Sequence, residues 1–335
     1  LLVVRRVNIL VLSGATFAVY ADEDVFTADH QKDENGERIR IYAKNDLVAT
    51  MTTGKDGSVA INDLPLGRYR IEEVNAPHGF VLGTQKLNAT IGYADDRTGL
   101  VEVTREFADE REKVELSIEK RDAEDHRMIS GAVFGLYAEE AILGKGGKVI
   151  VNAGELLETG VSDANGMVRF TKDYPFGKYY AKELRTPDGY ATNEAVIRFD
   201  AKYVAQDVPI AEYEALCLNA PTVFEFTKQD ITSGAELSGA TLSVIDEDGK
   251  EIDTWTSKAG EKHVIKRLMV GQSYVLREEY APYGYLKARE ITFKVLDSDS
   301  VQSVVMKDEV PTGTIVINKD GEFLNDVKAG EDGWM

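Results

Sequence analysis

Apolar and polar residues alternate with a period of two along much of this chain. Val114, Leu116 and Ile118 alternate with Glu115, Ser117 and Glu119, and Tyr69, Ile71 and Glu73 alternate with Arg70 and Glu72. That spacing predicts strands with one face buried. Lys55-Asp56-Gly57, Asp163-Ala164-Asn165-Gly166 and Asp246-Glu247-Asp248-Gly249 lie between such runs and supply residues that tolerate a positive φ. Many short strands, regular turns and no long amphipathic helix predict an all-β chain built of sandwiches.

The pattern repeats. Gly14-Ala15-Thr16-Phe17-Ala18-Val19-Tyr20 returns as Gly131-Ala132-Val133-Phe134-Gly135-Leu136-Tyr137, and more loosely as Gly239-Ala240-Thr241-Leu242-Ser243-Val244. A second block reads Leu64-Pro65-Leu66-Gly67-Arg68-Tyr69, then Tyr174-Pro175-Phe176-Gly177-Lys178-Tyr179, then Leu268-Met269-Val270-Gly271-Gln272-Ser273-Tyr274. The third block is the sharpest: Glu73 to Phe80, Glu183 to Tyr190 and Glu278 to Tyr285 each carry a glutamate followed by a Pro-x-Gly-aromatic turn. A repeat of about 100 residues is a whole domain, not a solenoid unit. The expected domains are residues 1–111, 112–221 and 222–311. Residues 312–335 are read as the start of a fourth, with Thr314 to Gly321 as its first strand.

Strand parity brings in the chemistry. Continuing the inward face from Val114, Leu116 and Ile118 reaches Lys120; Phe224 and Phe226 lead to Lys228, and Ile315 and Ile317 lead to Lys319. Buried lysines are costly unless paired or neutralised. Glu73, Glu183 and Glu278 also fall on inward positions. At the end of each copy an acid or amide is in phase with apolar neighbours: Asp109 after Val103 and Phe107, Asn219 after Cys217, Asp308 after Val304 and Met306. The second and third copies thus each aim a lysine, a glutamate and an Asn or Asp at one core. The bland alternative is a buried ion-paired network, which is usually destabilising.

An inward lysine in the first strand, a Glu-x-x-Ala-Pro-x-Gly-Tyr box and a terminal Asn or Asp resemble the CnaB and SpaA-like (prealbumin-like) pilin domains of Gram-positive surface proteins. Phe226 to Asp230 together with Val305 to Asp308 is especially similar to the self-ligating CnaB domain of a fibronectin-binding adhesin. The resemblance implies tandem immunoglobulin-like sandwiches arranged as a rod, serving as the stalk or pilin-like shaft of an adhesin. It also implies a self-formed isopeptide bond from Lys120 to Asn219 assisted by Glu183, and another from Lys228 to Asp308 assisted by Glu278. Desolvation pushes a buried amine towards its neutral, nucleophilic form, a buried carboxyl can shuttle protons, and folding supplies effective molarity. The first copy departs from this layout. Its in-phase residue is Arg6, which cannot act as an amine nucleophile, so no bond is expected there. Arg6 would instead pair with Glu73 or Asp109, unless the domain is truncated at its start.

Composition narrows the rest. The chain has 335 residues, 43% hydrophobic, with a net charge of −19. Its mean hydropathy is −0.27. Such acidity argues against nucleic acid and against anionic membrane surfaces, and no apolar run is long enough for a transmembrane helix. Cys217 is the only cysteine, so no intramolecular disulfide can form; it is read as a small core residue. Arg5-Arg6 before Val7 to Leu12 has the flavour of a clipped signal peptide, but the run is short and lacks a cleavage pattern, so a first strand is preferred. The ending in Gly-Trp-Met reads as that of a fragment.

His30, His78, His126 and His263 are scattered and are read as solvated rather than metal-binding. No cofactor or metal is expected, and no enzyme acting on an outside substrate. The location implied by the resemblance is the extracellular, wall-anchored surface of a Gram-positive bacterium. The partners implied are sortase or the cell wall, reached through sequence beyond Met335, and a host surface protein or glycan. Direct binding of that host partner is the rival to the stalk function; Tyr280, Tyr283 and Tyr285 cluster near one turn.

Overall fold

The computed structural model describes residues 2–5, 12–28 and 31–320. Among them are strands, turns and one short 3-10 turn, with no α-helix. Three copies of one sandwich follow each other, each a three-stranded sheet facing a four-stranded sheet. They sort into two compact units: residues 1–187 with 192–219 hold the first two sandwiches, and residues 188–191 with 220–335 hold the third.

The three-stranded sheet is built the same way in each copy. The first strand lies in the middle, antiparallel to one neighbour and parallel to the last strand of its own domain. In the first copy Leu2–Arg5 lies between Val59–Ile61 and Val103–Glu106. In the second, Lys113–Asp122 lies between Met167–Phe170 and Ile210–Asn219. In the third, Val223–Asp230 lies between His263–Lys266 and Gln302–Asp308. A parallel pair needs a long crossover, and here the rest of the domain provides it.

The alternation read from the sequence matches the burial. Val114, Leu116, Ile118, Phe224 and Phe226 are all buried. Their cores are closed from the opposite sheet by Phe134, Leu136 and Tyr179 in the second copy and by Leu242, Val244 and Leu276 in the third. Phe17, Val19, Tyr69 and Ile71 do the same in the first. In the first two copies the Tyr of the second sequence block donates its hydroxyl to a backbone carbonyl four residues earlier, Tyr69 to Pro65 at 2.7 Å and Tyr179 to Pro175, whereas Tyr274 donates to Gln272 Oε1 at 3.2 Å. A large ring can therefore be buried with its polar end satisfied.

The Gly-Ala block has a local cause. Gly14, Gly131 and Gly239 have φ of 92°, 86° and 89°, a region that costs any residue with a Cβ. The alanine that follows is buried, and its N–H is taken up by a hydroxyl from a neighbouring strand end: Thr53 for Ala15 at 3.0 Å, Ser162 for Ala132 at 2.9 Å, Ser257 for Ala240 at 3.1 Å. The turn Asp246-Glu247-Asp248-Gly249 closes a hairpin, with Asp246 Oδ1 accepting the Asp248 and Lys250 amides.

Two expectations need amending. Residues 314–320 form no strand, and Ile315, Val316 and Ile317 are exposed. An alternating sequence specifies a strand only when a ladder partner is present, and the described residues provide none. Residue 321 and those after it lie outside the described residues. Of the described histidines only His263 is less solvated than expected, half-buried where it stacks on Trp255 at 4.0 Å and meets Asp253 at 2.8 Å; His78, beside Tyr203 at 4.5 Å, and His126 are exposed. His30 lies outside the described residues.

Ser162→Ala removes the acceptor of a buried backbone N–H, so the second sandwich should lose about 1–3 kcal/mol. Denaturant unfolding checks this: the midpoint should fall with the slope unchanged.

Candidate functional site

Each lysine is delivered by the central strand of the three-stranded sheet, and its partner by the parallel strand beside it. Lys120 is level with Cys217 and Asp122 with Asn219, so the amide stands two residues past the lysine's own pair. Lys228 is level with Met306, and Asp308 again stands two residues past. Two residues is one step along the same face of a strand, which brings both side chains into the core together.

The glutamate comes from the other sheet. Glu73, Glu183 and Glu278 lie opposite Phe17, Phe134 and Leu242, each at a register shift in the ladder. Irregularities of this kind re-aim a side chain. The Pro-x-Gly turn that follows has its glycine at φ 83–90° (Gly79, Gly189, Gly284). In the second and third copies the chain then returns a backbone N–H to the carboxylate: Asn193 N donates to Glu183 Oε2 at 3.2 Å, and Ala288 N donates to Glu278 Oε2 at 2.6 Å.

In the second sandwich Lys120 is fully buried and Asn219 and Glu183 nearly so. Lys120 Nζ donates to Asn219 Oδ1 at 2.7 Å and to the Cys217 carbonyl at 3.3 Å. Asn219 Nδ2 donates to Glu183 Oε2 at 2.8 Å, which puts the amide between amine and acid. Burial pushes the Lys120 amine below its usual value near 10.5, against the opposing pull of Cys217, Glu183 and Asp122. Burial likewise raises the Cys217 thiol, so its neighbour is a neutral, apolar group.

In the third sandwich Lys228 ion-pairs with both Asp308 and Glu278, the latter at 2.9 Å, and all three side chains are sealed from solvent. Burial pushes the Asp308 carboxyl up; Lys228 opposes this, and the adjoining Glu278 carboxyl adds to it. One amine faces two acids, so a proton shared between the acids balances the charge.

The first copy brings Glu73 and Asp109 to one spot. A Cβ added to Gly83 would lie 3.6 Å from Glu73 Oε2 and 3.9 Å from Asp109 Oδ1. Glu73 is buried and Asp109 half-buried. Arg6, the third member expected there, lies outside the described residues. Lys319 is exposed, level with no partner strand.

Sequence parity overlooked three contributors to the second site. Asn193 holds Glu183 through its backbone and reaches Leu218 O at 2.7 Å with its side chain, while Thr186 Oγ1 donates to Glu183 Oε2 at 3.2 Å. The Cys217 carbonyl is the third. Thr186 is visible in the sequence as a departure, since Ala76 and Ala281 occupy its place in the other boxes.

The domain model described as SpaA, prealbumin-like fold domain, matches residues 8–106, 114–212 and 222–310. Among solved structures, the chain is similar to the Bacillus anthracis TIE protein at 24% identity and TM-score 0.59. The match covers 92% of this chain and 50% of that one, so this chain spans about half its length. At that identity the likeness shows the fold. A fainter likeness, TM-score 0.45 and 15% identity, links it to BcpA, the major pilin subunit of Bacillus cereus, over 92% of this chain and 98% of that one. No curated protein matches the sequence.

An Asn219→Ala variant leaves Lys120 a buried free amine, and its stability should depend on pH. The folded pKa lies below the unfolded value near 10.5, so the stabilisation is full above that value and is lost as pH falls through the folded one. The second sandwich of Asn219→Ala should therefore resist denaturant better as pH is raised from neutral towards 10. Adding Lys120→Met should flatten that slope.

Proposed function

Because the chain belongs to the family of SpaA prealbumin-like fold domains, we propose that it is a stalk segment of a Gram-positive surface protein, pilin-like in build, whose second and third sandwiches close themselves with isopeptide bonds. The observation that carries this reading is the buried Lys–Asn–Glu and Lys–Asp–Glu pair of sites, in which amine and acceptor touch across the first and last strands.

In the second sandwich Lys120 Nζ attacks Asn219 Cγ. The Nζ–Cγ bond forms and the Cγ–Nδ2 bond breaks. Glu183 takes a proton from the attacking nitrogen and returns it to Nδ2, which leaves as ammonia. Its Oε2 already contacts Nδ2, and its buried Oε1 has no hydrogen-bond partner among the described residues. In the third sandwich Lys228 Nζ attacks Cγ of the protonated Asp308 carboxyl: the Nζ–Cγ bond forms, the bond from Cγ to the hydroxyl oxygen breaks, and Glu278 carries a proton from the nitrogen to that oxygen, which leaves as water. Apolar packing holds the reactants in contact, which supplies the effective molarity an uncatalysed amide synthesis lacks. The first copy, with an arginine at the equivalent place in the sequence, forms no bond.

The role of such bonds is mechanical. Each would join the first strand of a sandwich to its last, so tension entering one and leaving by the other passes through the tie and not through the fold. The closed loops span sequence separations of 99 and 80 residues. By analogy with disulfides, loops of that size stabilise by about 4–5 kcal/mol in the chain-entropy model. Outside the cell, where this reading places the chain, a protein with one cysteine needs a tie of another kind. Wall attachment through sortase would accompany such a role.

A second reading, direct contact with a host protein or glycan, has one observation in its favour: Tyr280 and Tyr283 are strongly exposed on the turn of the third glutamate box. Their rings would provide the stacking surface.

Intact mass under denaturing conditions tests the main reading. The chain should be lighter than its sequence by one ammonia plus one water, with nothing further from the first copy. Glu183→Ala should restore the ammonia and Glu278→Ala the water. A full wild-type mass would refute the bonds.

A further inference from the structure

Resting on the crosslinking reading above, we propose that Thr186 is a positioning residue that commits the second sandwich to an amide acceptor. The two glutamates share a place in the fold but differ in what holds them. Glu183 Oε2 receives three donors: Asn219 Nδ2 at 2.8 Å, Thr186 Oγ1 at 3.2 Å and Asn193 N at 3.2 Å. Thr186 Oγ1 also donates to Thr192 Oγ1 at 3.0 Å, so its one proton is shared between Glu183 and the exposed Thr192. Glu278 Oε2 receives Ala288 N, and Oε1 turns to Lys228. The box position that holds Thr186 holds Ala281 in the third copy, so no hydroxyl is available there.

The two acceptors ask different things of the glutamate. An amide presents its own N–H to the carboxylate, and further donors on the same oxygen strengthen that arrangement, since hydrogen bonds to an ionised group are the stronger kind. An ionised acid presents only oxygen. Two carboxyls can face each other only around a shared proton, and a hydroxyl already donating to Glu183 Oε2 opposes placing that proton there. Thr186 therefore favours loss of ammonia through Asn219 and disfavours loss of water from an aspartate in the same place. Alanine at the equivalent position leaves Glu278 free to share a proton with Asp308.

The test uses the full chain made by cell-free synthesis, quenched at intervals and digested. The peptide joining Lys120 to position 219 is then quantified by mass, with the Lys228–Asp308 peptide of the same molecule as an internal clock. Relative to that clock, Thr186→Ala should slow ammonia loss about tenfold, the scale of one hydrogen bond to a charged group. Asn219→Asp should join slowly, with loss of water. Thr186→Ala combined with Asn219→Asp should join about tenfold faster than Asn219→Asp alone. Thr186→Ser, which keeps the hydroxyl, should match the wild type. The sign reversal between acceptors is what a merely structural residue would not produce. If Thr186→Ala moves both acceptors the same way, or neither, the selection role is overturned while crosslinking stands. Absence of any joined peptide in the wild type overturns crosslinking and this inference with it.

Discussion

The structure turns on a lysine amine held inside an apolar core. An unpaired ammonium there costs several kcal/mol even after relaxation, so everything around it must either neutralise the amine or meet it with oxygen. The second and third sandwiches do this with the same three pieces: a central strand that carries the lysine, a parallel strand that carries the acceptor two residues on, and a glutamate re-aimed from the opposite sheet. Removing any one would leave a charge or a polar group stranded. The irregularity beside the glutamate and the Pro-x-Gly turn recur in the first copy as well, so the fold supplies them and the lysine uses them.

The same frame tolerates different chemistry at its centre. In the second copy the amide lies between amine and acid and no proton need be shared, whereas in the third one amine faces two carboxyls and Asp308 is pushed up. The first copy keeps the fold, the glutamate and a terminal aspartate. Arg6, the residue expected in phase there, lies outside the described residues; a guanidinium in that place would stay charged and make no amide. The fold thus brings a glutamate towards a terminal acid or amide in all three copies, whatever residue completes the site.

Much of this could be read from the chain because strands have an integer period. Counting by two from Val114 to Lys120, or from Phe224 to Lys228, assigns a face without any knowledge of neighbours, and three copies of one box gave three independent counts. What could not be read was pairing across the sheet. Nothing local says that Lys113–Asp122 runs parallel to Ile210–Asn219, or that Ser162 answers the Ala132 amide. Backbone donors such as Asn193 N and Ala288 N are invisible to side-chain patterns altogether. The same limit explains residues 314–320, where Ile315, Val316 and Ile317 suggest a strand but no ladder partner lies among the described residues.

The position of the proposed ties along their strands matters separately from the entropy they remove. Entropy depends on loop length, which is similar in the two copies, and it acts on the unfolded ensemble. Resistance to pulling depends on where force enters. In both domains lysine and acceptor lie near the C-terminal ends of neighbouring parallel strands. Tension arriving along the first strand reaches the lysine, crosses to the acceptor and leaves at once through the end of the last strand. The residues between the two bonded positions, 121–218 and 229–307, fall outside that path, so the sheets and their core need bear none of the load. A tie near the start of the last strand would have left most of that strand under tension and dependent on hydrogen bonds alone. The register therefore places an amine against its acceptor, and the proposed bond would lie where it shields the domain.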